Sequence, residues 1–197
     1  MKRSIAAIII LALMLFTGCS SSHRIETAAV IENVSVARVS GQLIYTFYRL
    51  SSDEKPPKTE ITASSFEEAC TLAREKYIPH LTLAKLRLLL VHRDLKDSVM
   101  PKDISYISTQ TYFSPVAYVA LCDDETIKKV GESSHILNTV EEQLKLCQKR
   151  SPQVRLDYLS IFNSLQRDDG NGVNIAFINS DKELKAGIEK ISVKYEN

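Results

Sequence analysis

Residues 86–92 read Leu-Arg-Leu-Leu-Leu-Val-His, and this run decides the fold. It has the length of a strand, and it is apolar at nearly every position instead of every second one. Such a run has no wet face. It suits a strand covered on both sides, at the centre of a sheet. A second run of the same kind, Val-Ala-Tyr-Val-Ala-Leu-Cys, occupies 116–122. Between the two, Pro101 is placed for a first helical turn and 102–109 reads as a helix. The fold is therefore expected to grow around two core strands joined by a helix.

Toward the N-terminus, 27–40 (TAAVIENVSVARVS) alternates apolar and polar side chains in its second half, and 43–50 (LIYTFYRL) is aromatic and β-branched. Gly41-Gln42 between them gives a short turn, so an antiparallel hairpin is expected. Residues 51–62 carry Pro56-Pro57 and mixed charges and read as an exposed loop. Ser65-Phe66-Glu67-Glu68 is a capping box: the Ser65 hydroxyl meets the amide three residues on, and Glu68 reaches back to the cap amide. The helix it opens runs to about Tyr77, with Phe66, Ala69, Cys70, Ala73 and Tyr77 on one stripe, and Pro79 closes it.

Toward the C-terminus, Asp123 or Asp124 can cap a short helix that stops at Gly131. Asn138-x-x-Glu141 reads as a second capping box, opening a helix to about Lys149 that Pro152 breaks. Leu156, Leu159, Phe162 and Leu165 recur at helical spacing. Asp168-Asp169-Gly170-Asn171-Gly172 has a superficial likeness to a calcium loop, but its sixth position is Val173 where glycine is needed, so a tight turn is expected. Residues 173–178 and 188–193 read as strands. The order ββαβαβαααββ predicts an α+β fold: a single domain with a mixed, largely antiparallel β-sheet packed by several helices.

The 197 residues carry 25 basic and 24 acidic side chains, a formal net charge of +1. That balance excludes the electrostatic footprint of a nucleic-acid partner. His23, His80, His92 and His135 form no paired motif, so no metal site is expected. Among six glycines there is no Gly-rich phosphate loop and no G-x-S-x-G, so no catalytic or cofactor-binding residue is assigned and no enzyme is expected. Cys70, Cys122 and Cys147 are odd in number and lack a CxxC spacing. In an exported domain they permit one disulfide at most, and spacing does not choose among the three pairings. They read better as small apolar core residues without a structural disulfide.

Lys2 and Arg3 precede an apolar run over 5–16, which ends in Leu15-Phe16-Thr17-Gly18-Cys19. The run falls short of the roughly 20 apolar residues a spanning helix needs. A small pair followed by cysteine is a lipobox, and Cys19 is the expected lipidation site. Residues 1–18 are then a signal peptide, 19–25 a Ser-rich tether and 26–197 the single domain. The competing reading is an ordinary secretory signal cut nearby. Burial of acyl chains is worth about 0.8 kcal/mol per CH₂, and two chains hold a protein on a membrane where one holds it marginally.

The lipobox, Glu26, the Pro-containing loop, Ser65-Phe66-Glu67-Glu68-Ala69, and Leu86 to Leu95 (LRLLLVHRDL) with Lys96-Asp97 after it together resemble the N-terminal domain of the Ger(x)C family. Residues 116–122 and 158–165 (YLSIFNSL) resemble its next strand and a later helix. Members are the C subunits of spore nutrient germinant receptors; they are about twice as long and carry W-D-x-x-E after the lipidated cysteine, of which only Glu26 is matched here. The resemblance implies a lipid-anchored, non-catalytic subunit or accessory on the outer face of the spore inner membrane. Its implied partners are the integral-membrane and A-type receptor subunits, met through loops such as 51–62 and 166–171. The alternative is a cell-envelope solute-binding or assembly lipoprotein unrelated to germination.

Overall fold

The computed structural model describes residues 29–110, 112–167, 172–180 and 183–191. The signal segment, Cys19, the tether and the turn expected at 168–171 lie outside the described residues. The chain opens with β1 (Ala29–Val39), β2 (Gln42–Arg49) and β3 (Lys58–Thr62), then α1 (Phe66–Lys76), β4 (Leu81–Thr82) and β5 (Leu88–His92). It continues through α2 (Met100–Ser108), β6 (Tyr118–Cys122), α3 (Asp124–Glu132), α4 (Ser134–Arg150) and α5 (Tyr158–Gln166) to β7 (Val173–Asn179) and β8 (Lys185–Ile191). The sheet is ordered β3-β2-β1-β5-β6-β7-β8, with the short β4 paired to the start of β1.

β5 stands at the middle of this order, as its unbroken apolar run requires. Leu89 and Val91 point into one core and Leu88 and Leu90 into the other, and all four are buried. β1, β5, β6 and β7 run parallel, while the pairs β1–β2 and β2–β3 at one edge and β7–β8 at the other are antiparallel. The result is a mixed sheet in an α+β domain. Side chains of α1, α2 and α5 fill the core on one face, and those of α3 and α4 the core on the other. Among the described residues no helix is long and apolar enough to cross a membrane.

The chain changes faces through the sheet itself. β6 and β7 pair only at their C-terminal ends, Leu121 with Phe177 and Cys122 with Ile178. At their N-terminal ends the gap is filled by 155–157: the Arg155 amide donates to the Asn174 carbonyl at 2.9 Å and the Val119 amide to the Leu156 carbonyl at 2.6 Å. Those bonds satisfy backbone groups that a split sheet would otherwise leave bare. Leu156 is therefore buried in an extended segment, and Asp157 caps α5 by accepting the Ser160 amide at 2.8 Å.

The hairpin turns on Ser40 and Gly41, with φ of 50° and 83°, the two left-handed positions of a type I′ turn, one residue before the expected Gly41-Gln42, and Gln42 already belongs to β2. Several expectations need correction. The loop expected over 51–62 ends at Pro57, whose carbonyl accepts the Arg49 amide, and β3 follows with Ile61 buried. Ser65 caps α1 by accepting the Glu68 amide at 3.2 Å, but Glu68 reaches back one residue further, to the Ser64 amide at 2.7 Å. Tyr77 leaves the buried stripe and is exposed. Asn138 caps nothing: α4 starts four residues earlier, with Ser133 as its cap. α5 starts after Leu156, and Leu159 on it faces solvent. The last strand begins at Lys185, three residues before the expected start. Cys70, Cys122 and Cys147 are buried free thiols; burial pushes Cys70 up to about 12 and raises the other two.

Candidate functional site

A cleft opens where the N-terminal ends of the parallel strands meet the start of α4. Arg87, just before β5, continues the sheet: its amide donates to the Glu32 carbonyl and its carbonyl accepts the Tyr118 amide, both at 2.8 Å. The backbone is thereby fixed, and the guanidinium reaches out between β1 and α4. Nη1 pairs with Glu32, Nε pairs with Glu141 at 2.6 Å, and Nη2 donates to the Asn138 amide oxygen at 3.1 Å. The bond to the Glu141 carboxylate, reinforced by Glu32, raises the Arg87 pKa beyond its ordinary value. Lys145 adds a second cation 3.8 Å from Glu141.

The opposite wall is the segment after β2. Ser134 at the first turn of α4 holds it: its amide donates to the Glu54 carbonyl at 2.9 Å and its hydroxyl to the Asp53 carbonyl at 3.1 Å. Leu50, Ser51, Ser52, His135 and Leu137 complete a cavity of about 520 Å³. The guanidinium is a fork already engaged by two carboxylates and an amide, so it stiffens the wall instead of offering a free charge to an anion.

Two further polar clusters are built into the fold. Asp103 of α2 is buried and accepts the Tyr45 hydroxyl at 2.9 Å and the Phe66 amide at 3.1 Å, which joins β2, α1 and α2. Burial drives its carboxyl up to about 6 despite those two bonds, which act downward. Burial and the facing carboxylate also raise Tyr45. The folded state therefore holds its proton above the ordinary value of 3.8. This contribution to stability is complete below about 4 and is lost as pH rises through about 6. Asp103→Asn is expected to remove that slope between pH 4 and 6 in urea unfolding; an unchanged slope would assign it to other groups.

At the C-terminal ends of the parallel strands, where open α/β sheets commonly bind ligands, the polar side chains bind one another. Asp123 accepts the Thr126 amide at 2.8 Å and the Ser180 amide at 3.1 Å, and Lys129 donates to the Ser180 hydroxyl at 2.7 Å. His92 lies 3.4 Å from Asp124, and Lys96 and Arg93 both pair with Glu189. Among the described residues no three His, Cys, Asp or Glu side chains converge to hold a metal ion.

Cys19, the one site residue expected from the sequence, lies outside the described residues. Of the loop expected to dock partners, Ser51, Ser52 and Glu54 line the cleft. The Arg87 cluster escaped sequence reading, because Glu32, Arg87 and the Asn138/Glu141 pair are far apart in the chain, and Asn138-x-x-Glu141 reads as a capping box. Its one signal was a charged residue interrupting the central apolar run. Comparison with family models, curated proteins and solved structures finds no match.

Proposed function

We propose that this chain is a lipid-anchored, non-catalytic subunit or accessory of a spore nutrient germinant receptor, held at the membrane through Cys19 and acting by docking. The observation that carries this reading is Leu15-Phe16-Thr17-Gly18-Cys19 followed by an α+β body whose order of elements resembles the Ger(x)C N-terminal domain. The cleft supports a docking role. Its wall, 50–54, is an exposed connection braced by Ser134, and its cation is already paired, which suits a rigid surface shaped for another protein. The partners proposed are the integral-membrane and A-type receptor subunits. Deleting the gene is expected to slow or abolish nutrient-triggered germination while leaving spore formation intact. Normal germination in a strain without a redundant paralogue would sink the proposal.

A further inference from the structure

We propose that the end of the sheet from which β1 starts meets the lipid surface on its α1, α2 and α5 side, with Tyr77, Tyr112 and Val116 entering the headgroup region and the Arg87 cleft on the α4 side left open. The inference rests on the anchor reading of Cys19 and adds an orientation to it. β1 begins at Ala29, and its parallel neighbours β5 and β6 begin at the same end. Nine residues lie between Cys19 and Ala29, a reach of at most about 35 Å when fully extended. β1 itself spans about 33 Å, so an acylated Cys19 reaches the bilayer with the hairpin tip down only when the tether is fully stretched, and a relaxed tether keeps the start of β1 nearer the membrane.

The same end gathers the exposed apolar side chains. Tyr112 is 81 % exposed, Val116 71 % and Tyr77 61 %. Tyr77 precedes by three residues His80, whose carbonyl accepts the Ala29 amide, and Val116 adjoins Ala117, whose carbonyl accepts the Tyr158 amide at the mouth of β6. Tyr112 adjoins Phe113, whose ring meets that of Tyr158 at 5.0 Å, and Leu159 at the start of α5 belongs to this end as well. Four of the eight large apolar side chains exposed in the described residues therefore share one end and one side of the sheet. Scattered singly, such residues would need no explanation. Tyrosine, with an apolar ring and a polar tip, suits the membrane interface. The segments that carry Tyr77, Tyr112 and Val116, 76–87 and 109–117, contain no Asp or Glu, and Lys76 and Lys85 are exposed, with Glu75 the one exposed acid adjoining them; that suits an anionic lipid surface.

The absence of tryptophan makes the test direct. Tyr112→Trp and, on the opposite end, Val39→Trp each create a single fluorophore at an exposed position. The chain beginning at Cys19, the form the proposed processing yields, is coupled through that thiol to a maleimide lipid in vesicles containing phosphatidylglycerol and bromine-labelled acyl chains. The other three thiols are buried. Coupling supplies the anchor whatever the cell does to Cys19, so the orientation fails or succeeds independently of acylation. Tyr112→Trp, and Tyr77→Trp as a second reporter, should shift to the blue and lose several-fold more emission than Val39→Trp. Equal, small losses at both ends would overturn the orientation and leave this face to a protein partner.

Discussion

Phe66→Ala is expected to cost about 3 to 5 kcal/mol of folding stability, the range for deleting a buried aromatic ring. Phe66 is the first residue of α1 and fully buried. Its ring lies 5.9 Å from Tyr45 and 6.1 Å from both Phe47 and Tyr106, so β2, α1 and α2 converge on it. Its amide also donates to the buried Asp103. The alanine variant keeps that bond and the Ser65 cap, so the loss reports the ring. Phe66→Leu, which keeps most of the volume, should cost less than about 1.5 kcal/mol. Equilibrium urea unfolding distinguishes the two, and equal losses for both variants would contradict the packing described.

Arg87→Met is expected to cost about 2 kcal/mol, with an effect on the cleft as well as on stability. Removing one member of an ion pair that water barely reaches leaves its partners with unmatched charge, at 3 to 5 kcal/mol when burial is complete. Here the Arg87 side chain is 40 % exposed and Glu141 10 %, so part of the loss is screened. The guanidinium is also the bracket between β1 and α4, through Glu32, Asn138 and Glu141. Glu141→Gln in the Arg87→Met background should restore part of the stability, since it discharges the stranded carboxylate. Additive losses in that double-mutant cycle would show that the two side chains do not act together.

The architecture was legible because its centre is written in the simplest pattern. An apolar run without alternation, as in 86–92 and 116–122, reads as a strand covered on both faces once its length excludes a helix, and the strands occupy 88–92 and 118–122 of those runs, with Val116 left exposed. The hairpin was legible for a similar reason, since Gly41 supplies the left-handed φ that the turn needs. Errors arose where a local motif competed with tertiary contacts. Pro56-Pro57 marks a loop, but β3 starts directly after it because Lys-Thr-Glu-Ile-Thr finds β2 as a partner. Asn138-x-x-Glu141 fits a capping box, yet both side chains serve Arg87, fifty residues away, and Ser133 caps the helix instead. The 155–157 wedge had no local signal at all, because its bonds go to β6 and β7. The Arg87 cleft was hidden for the same physical reason: it exists only once β1, β5 and α4 are assembled.

The anchor remains the premise on which docking and orientation depend, and one labelling experiment tests it most directly. Cells expressing the wild-type chain or Cys19→Ala are grown with radiolabelled palmitate, fractionated, and the protein is immunoprecipitated from membrane and soluble fractions. Label on the wild-type chain, confined to the membrane fraction, together with an unlabelled and released Cys19→Ala chain, is the predicted result. A wild-type chain that carries no label, or a Cys19→Ala chain that is still labelled and membrane-bound, would contradict the account.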